Sequence, residues 1–369
     1  MQFNVSRDAL LKPLQLVSGV VERRQTLPVL SNILLVLKDN LLSLTGTDLE
    51  VELIGSVEVE PGGESGAVTV PARKLVDICK SLADGSSLEF SQKEDKVVIK
   101  SGRSRFTLAT LPASEFPTIE DESGTFSVTV SQEKLKELLD STSFAMAQQD
   151  VRFFLNGMLF EVAPDYLRVV ATDGHRLAMQ TISMGNEIDE PQQLILPRKG
   201  IIELSRLITD GEGDLTLVFG SNHIRARMSD YTFTSKLVDG KFPDYNRVLP
   251  KGGDKHIIGV RQELRQAFSR VSILSNEKYR GVRLILESGE LKILANNPEQ
   301  EEAEEAVSVN YDGESMEIGF NVSYLIDVLT ALPVSNVRIT LSDPNSSALL
   351  EAEDGESSEA LYVVMPMRL

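Results

Sequence analysis

The sequence predicts an α+β fold of three tandem similar domains, each made of two strand-helix-strands units, and three observations predict it. Stretches about 125 residues apart read as copies of one another, a period too long for a solenoid and suited to tandem domains. Inside each copy an apolar strand runs straight into a helix, short alternating strands follow, and the pattern then recurs once more. At 369 residues the chain also exceeds one ordinary core and suits two or three domains of roughly 100 to 150 residues. The repeat selects three. Turn-rich and charged stretches at 117–125 and 250–254 place the domains over 1–124, 125–252 and 253–369.

Each copy opens on a strand entering a helix: Phe3 to Val5 before Ser6, Phe126 to Val130 before Ser131, and Ile257 to Val260 before Arg261. Leu10, Leu135 and Leu264 then stand at matching depth. In the first copy Ile33 to Leu37 and Leu41 to Thr45 flank Lys38-Asp39-Asn40 as a hairpin, and Val51 to Val59 continues the meander. Thr47-Asp48-Leu49, Thr172-Asp173-Gly174 and Asn296-Asn297-Pro298 each end a strand. Pro71, Pro197 and Asn321 follow 23, 24 and 24 residues after the middle residue of those triplets, and each starts a second helix. Proline suits that first turn, where its missing N–H would be unpaired anyway. Three strands through Leu88 to Phe90, Val97 to Lys100 and Arg105 to Thr110 complete the first copy. Helices are expected over 6–22, 71–82, 131–148, 197–209, 260–274 and 321–332, the first kinked at Pro13.

Cys79 is the only cysteine, so an intrachain disulfide is excluded. The N-terminus has no basic segment leading into an apolar core, and apolar runs such as Ile33 to Leu37 fall far short of the roughly 20 residues that span a bilayer. A cytoplasmic protein without a membrane partner is expected. Net charge is −18, which taken alone argues against nucleic acid, since phosphate binding needs Lys and Arg to displace counterions. The six expected helices nevertheless hold 13 Lys and Arg against 9 Asp and Glu, a net +4 that leaves −22 elsewhere. Solvated helix faces give the same asymmetry, so charge alone leaves both readings open.

Geometry adds to charge. If the helices line a ring at spacings of about 9.5 Å, six leave a hole of only about 8 Å, whereas twelve from a head-to-tail dimer leave roughly 26 Å. Duplex DNA fits the second.

Catalytic signatures are missing. There is no phosphate-binding Gly-rich loop ending in Lys-Ser/Thr, no Gly-x-Ser-x-Gly elbow, and no metal-ligand spacing among three histidines and one cysteine, so neither cofactor nor metal is expected. Asp173 and His175 are the one tempting dyad, but Asp and His two apart on a strand-to-turn segment rarely present nucleophile and base together. The run 210–214 lacks the spacing and terminal glutamate of a calcium loop and reads as a turn.

Several long motifs in register carry a resemblance over essentially the whole chain: Thr45-Gly46-Thr47-Asp48-Leu49-Glu50, Val70-Pro71-Ala72-Arg73-Lys74, Ala171-Thr172-Asp173-Gly174-His175-Arg176-Leu177, Leu274-Ser275-Asn276-Glu277-Lys278, Asn296 to Glu305, and Tyr362 to Leu369. In these the chain resembles the beta subunits of bacterial DNA polymerase III, the beta sliding clamps. The resemblance implies a ring-shaped homodimer with helices lining the inside and sheets the outside. It implies a non-catalytic processivity factor that encircles duplex DNA and tethers polymerase, clamp loader and repair proteins by short peptide motifs.

Three sets of residues follow from it. Duplex contacts fall to Arg24, Arg73, Lys74, Gln149, Phe153, Phe154, Arg198 and Lys199; the two phenylalanines stand where many relatives carry tyrosine, and lack its hydroxyl. Phosphate contacts position without reading sequence, which suits sliding. The dimer interface sets Lys74, Arg103 and Arg105 of the first domain against Glu299, Glu301, Glu302, Glu304 and Glu305 of the third, around an apolar core of Phe106 and Leu108 against Ile273 and Leu274. The apolar contact dominates stability there, while rim charges set orientation.

The third set is a partner-peptide pocket. Leu155, Thr172, Gly174, His175, Arg176, Leu177, Pro243, Arg247 and Val248 come from the second domain, at its cleft with the third. Val363, Met365, Pro366 and Met367 close it, with Asn321, Tyr324, Ser347 and Arg368 as its polar edge. Flexible thioethers beside a proline suit several partners. Pro344-Asn345 departs from the commoner sequence at that edge. A protein-binding scaffold without DNA, or a hydrolase built on Asp173 and His175, are the rival classes.

Overall fold

The computed structural model describes residues 1–22, 27–119, 124–209, 211–353 and 359–368. One order of elements occurs three times. The first copy runs β1 (Gln2–Ser6), α1 (Arg7–Val20), β2 (Asn32–Lys38), β3 (Leu41–Thr47), β4 (Val51–Glu58), β5 (Gly66–Pro71), α2 (Ala72–Ser81), β6 (Ser87–Lys93), β7 (Lys96–Ser101) and β8 (Ser104–Ala109). The second runs β9 (Phe126–Ser131), α3 (Gln132–Thr142), β10 (Gly157–Ala163), β11 (Tyr166–Thr172), β12 (Arg176–Ser183), β13 (Gln192–Pro197), α4 (Arg198–Leu207), β14 (Asp214–Phe219), β15 (His223–Arg227) and β16 (Tyr231–Lys236). The third runs β17 (Lys255–Val260), α5 (Arg261–Val271), β18 (Gly281–Glu287), β19 (Glu290–Asn296), β20 (Glu302–Ser308), β21 (Met316–Asn321), α6 (Val322–Ala331), β22 (Asn336–Leu341), β23 (Ala348–Ala352) and β24 (Glu359–Val364).

By contact the chain divides into two compact units, 1–133 with 199–237, and 134–198 with 238–369. Unit 1 holds a four-stranded sheet, β1-β6-β7-β8, and an eight-stranded sheet, β5-β2-β3-β4-β16-β15-β14-β9. Unit 2 holds an eight-stranded sheet, β13-β10-β11-β12-β24-β23-β22-β17, and a four-stranded sheet, β20-β19-β18-β21. Each eight-stranded sheet is two four-stranded halves joined edge to edge, by β4 and β16 in unit 1 and by β12 and β24 in unit 2, both antiparallel. Tyr231 lies opposite Gly55 at the first join, and a Cβ on Gly55 would stand 3.1 Å from the Tyr231 ring.

Local chemistry accounts for the elements. α1 buries Leu10, Leu14 and Val17 on one stripe and runs through Pro13, itself buried. The β2–β3 turn is tighter than its sequence implies: Lys38 pairs with Leu41 as strand, leaving Asp39 and Asn40 at φ 50° and 63°, the two-residue turn that matches strand twist. The helix expected over 131–148 ends at Thr142, followed by a 3₁₀ turn over Ser143–Ala145. Ser141 and Thr142 donate their hydroxyls to the Leu138 carbonyl, at 3.1 and 2.6 Å, competing with the backbone for it. Likewise the helix expected over 260–274 gives way after Val271 to a 3₁₀ turn, Ser272–Leu274.

Candidate functional site

The segment from Thr172 to Arg176 is a side-chain-built turn, and unit 1 contains its twin. Thr172 Oγ1 donates to the Arg176 carbonyl at 2.6 Å and accepts from Gly174 N at 3.1 Å; Asp173 Oδ1 accepts from His175 N at 2.9 Å and Arg176 N at 3.1 Å. In unit 1, Thr47 Oγ1 donates to the Val51 carbonyl at 2.9 Å and accepts from Leu49 N at 3.0 Å, while Asp48 Oδ1 accepts from Glu50 N at 2.9 Å and Val51 N at 2.7 Å. The third residue is left-handed in both, at φ 88° for Gly174 and 78° for Leu49. Asp173 therefore meets His175 through the backbone, as a turn former.

What differs is the residue after the turn. Arg176 donates through Nε to Asp173 Oδ2 at 3.1 Å and through Nη2 to the Phe144 carbonyl at 2.8 Å, and its Nη1 pairs with Asp327 of α6. Its guanidinium lies 4.5 Å from the Tyr324 ring centroid and 5.3 Å from that of Phe144. Unit 1 has the buried Val51 at this place.

Beside the turn lies an apolar cluster on one face of the eight-stranded sheet of unit 2. It unites Leu155, Leu177 and Val363 with residues that the sequence reading missed: Leu159, Val170, Met179, Ile195, Phe242 and Tyr245. Phe154 and Leu249 pack against it, half-buried. Val248 and Met365 remain 54% and 47% exposed, and Pro243 and Arg247 are exposed beside Val248. The C-terminal segment is held by Met365 N on the His175 carbonyl at 3.0 Å and Met367 N on the Gly319 carbonyl at 2.8 Å. Met367 and Arg368 share a cleft with Pro344, Asn345, Arg283 and Glu317. Asn321 is the cap of α6, accepting from Ser323 N at 2.9 Å, and Ser347 is half-buried just before β23.

A row of polar residues crosses the same sheet face. Gln193, Glu161, Arg168 and Thr181 stand opposite one another on β13, β10, β11 and β12. Glu161 is buried and accepts from Tyr166 Oη and Tyr245 Oη, both at 2.8 Å, and from Gln193. Arg168 donates to Tyr245 Oη at 3.0 Å and Thr181 Oγ1 at 2.8 Å, and lies 3.5 Å from Glu161. Burial raises the Glu161 carboxyl, but donors from Gln193, Tyr166 and Tyr245, with the Arg168 charge, outweigh it and hold it below the usual glutamate range. Burial and the Glu161 bond push the Tyr166 hydroxyl up to about 12.

The expected DNA residues divide by unit. Arg24 lies outside the described residues. In unit 1, Arg73 and Lys74 are exposed at the start of α2. Lys199 is different: its Nζ donates to Glu22 at 2.8 Å, to the Val20 carbonyl at 3.2 Å and to Asp48. Burial would lower the Lys199 amine, but those carboxylates outweigh it and raise it. The lysine thus ties the Asp48 turn to the start of α4. In unit 2, Gln149 is exposed at φ 55°, Phe153 is 57% exposed, and Arg198 reaches the Met146 carbonyl at 3.3 Å.

The residues expected at a dimer interface lie at two sheet edges. In unit 1, β8 is an edge strand carrying exposed Arg105, half-buried Phe106 and buried Leu108, with exposed Arg103 just before it. In unit 2, β20 is an edge strand carrying exposed Glu302 and Glu304, and Ile273 is 75% exposed beside half-buried Leu274. Glu305 is taken within the chain by Arg270, Nη2 to Oε2 at 3.1 Å, which holds its carboxyl below the usual range. Glu301 accepts from Asn297 Nδ2 at 2.6 Å, and Glu299 is exposed on the same turn.

Among the described residues no group of three or more His, Cys, Asp or Glu is placed to hold a metal ion, and no helix is long and apolar enough to cross a membrane.

Comparison with known proteins matches three family models, the N-terminal, central and C-terminal domains of the DNA polymerase III beta subunit, over residues 1–120, 129–244 and 246–368. The chain is 62% identical over 369 residues to a beta sliding clamp of Pseudomonas putida and 53% identical over 369 residues to that of Escherichia coli, covering 100% of each chain. A crystal structure of a sliding clamp, DNA polymerase III subunit beta, from Pseudomonas aeruginosa bound to griselimycin is similar with a TM-score of 0.97 at 61% identity, covering 100% of both chains.

Proposed function

The chain belongs to the DNA polymerase III beta subunit family of sliding clamps, and on that premise we propose that two copies close head to tail into a ring around duplex DNA. One observation carries this reading: the chain already joins half-sheets edge to edge twice, and the two edges left over are complementary. Counted from the strand ends, β20 occupies the place of β4 and β12, and β8 that of β16 and β24. Carrying the Tyr231–Gly55 register across sets Ser104 opposite Glu305, Arg105 opposite Glu304 and Phe106 opposite Ala303. Arg105 and Glu304 then share the outer face of the joined sheet, while Phe106 and Leu108 turn inward toward Ile273 and Leu274 of the other copy. Burying an isoleucine that is 75% exposed in the single chain contributes about 1.5 to 3 kcal/mol, more than a rim ion pair. Lys74, third in α2 where Tyr324 is third in α6, faces the Asn297–Glu301 turn of the other copy.

In this ring of three domains per chain, bounded at residues 124 and 252, loose contacts from Arg24, Arg73, Gln149, Phe153 and Arg198 attract the duplex without reading it. Lys199 serves as a brace and Phe154 as packing. Retention comes from enclosure, so an acidic cytoplasmic protein can serve DNA. The cluster between Leu155, Leu177, Val363 and the C-terminal methionines takes short apolar motifs of the polymerase, the ATP-driven loader and repair proteins. The chain itself catalyses nothing. Loaded on a nicked circular plasmid, the protein is expected to co-elute with the DNA and to be lost once the plasmid is linearised. Equal retention on linear DNA would refute enclosure.

A further inference from the structure

We propose that Tyr245 is a positioning residue for the pocket, a peg that fixes the connection 238–250 to the sheet through the Glu161–Arg168 row and so sets the rim at Arg247 and Val248. The inference rests on the peptide-pocket reading and adds a residue set to it. Tyr245 straddles a border on the sheet face. Its ring lies in the apolar cluster with Leu155, Leu177 and Val363, while its hydroxyl donates to Glu161 Oε1 at 2.8 Å and accepts from Arg168 Nη1 at 3.0 Å. Among the described residues the connection has few other polar ties to this face: Val238 N donates to the Ile195 carbonyl at 2.8 Å, while Glu161 and Arg168 bond to it through Tyr245, and Arg168 goes on to Thr181. The 3₁₀ turn that carries Tyr245, Tyr245–Arg247, is closed by Arg247 N on the Asp244 carbonyl and Val248 N on the Tyr245 carbonyl, so the peg and the rim move as one short piece.

Unit 1 serves as a control built into the chain. Register carries Glu161 onto Val36, Arg168 onto Ser43, Thr181 onto Ser56 and Gln193 onto Ala67. Counting from Phe242-Pro243 to Phe116-Pro117 carries Tyr245 onto Ile119. The same backbone thus folds there with no charged row and no hydroxyl peg, and the fold does not demand one. A buried carboxylate held by three donors is a costly thing to build, and it marks a place where geometry matters more than net stability.

The test uses the full-length chain with Tyr245→Phe, Glu161→Ala and Glu161→Gln, read by a synthetic Gln-Ala-Ala-Leu-Phe peptide in calorimetry and by amide hydrogen exchange. Loss of the hydroxyl is expected to weaken peptide binding about tenfold, as for one hydrogen bond to a charged group. Exchange at residues 246–248 is expected to speed up, with β10 to β13 unchanged. Glu161→Ala should behave alike, and Glu161→Gln, which keeps an acceptor for Tyr245, should recover most of the affinity. Unchanged exchange at 246–248 in Tyr245→Phe, or exchange that rises equally through β10 to β13, would overturn the anchoring. A wild-type chain that ignores the peptide would instead sink the pocket reading, and the exchange result would still decide the peg.

Discussion

Strand β12 of unit 2 leaves the junction turn with Leu177, paired to Thr172; strand β4 of unit 1 leaves the same turn with Glu52, paired to Thr47. Across the join stand Val363 in unit 2 and Thr234 in unit 1. The apolar pair forms part of the buried cluster with Leu155 and Tyr245. Glu52 is instead 3% exposed and accepts from Ile119 N at 3.2 Å, a polar tie where unit 2 has an apolar contact. The turn aspartates follow the same division: Asp48 is held by Lys199 from α4, whereas Asp173 holds Arg176, which reaches on to Asp327 in α6. One backbone plan, repeated, carries a polar tie in one unit and an apolar cluster in the other by the choice of a few side chains.

The largest expected effect comes from removing the segment after β24. Deleting residues 365–369 removes the bonds to His175 and Gly319 and is expected to lower Gln-x-x-Leu-Phe peptide affinity at least a hundredfold while the dimer mass in light scattering stays unchanged. Affinity within threefold of the full chain would place the peptide elsewhere. Next in size come the two cations. Arg176→Ala leaves Asp173 and Asp327 without their guanidinium and is expected to cost about 2 to 3 kcal/mol in unfolding and to weaken the peptide as well. Lys199→Met strands the buried Asp48 and should cost about 1 to 2 kcal/mol with no change in peptide affinity. If Lys199→Met weakened DNA retention without a stability loss, its reading as a brace would fail.

The smallest expected effect concerns pH. Burial raises the Glu52 carboxyl above the ordinary glutamate range, against the Ile119 bond and the Arg225 charge. A group with a raised folded value weakens the fold as pH climbs through that value, so Glu52→Gln should raise Tm at pH 7 and leave it unchanged at pH 4. Glu161 has the opposite sign: its lowered folded value contributes stability present above the usual glutamate range and lost as pH falls through that folded value. Glu161→Gln should therefore lower Tm at pH 7, the reverse of Glu52→Gln. Equal signs for the two variants would erase the electrostatic difference between the units.

Much of this was legible in residue types. Thr-Asp at a strand end, and Pro or Asn 23 or 24 residues later, marked turns and helix starts because their side chains make local bonds wherever they occur. The edge pairings of β4 with β16 and β12 with β24 were not legible, since partners some 180 residues apart leave no local signal. The Lys199–Asp48 pair was not legible either, since the two lie 151 residues apart. Glu161 and Arg168 were missed although period-two alternation puts them on the face of Leu159 and Val170; a charged pair in phase with an apolar row was the available clue.

Closure by β8 against β20 is tested most directly by cross-linking in its proposed register. Combining Ser104→Cys with Glu305→Cys sets two thiols at the place of Tyr231 and Gly55, and the native Cys79 is buried and does not compete. Mild oxidation is expected to convert the protein almost completely to a species of twice the chain mass on a denaturing non-reducing gel, still able to hold a nicked circle. Persistence of single chains, or equal cross-linking when Ser104→Cys is combined with Glu302→Cys instead, would contradict it.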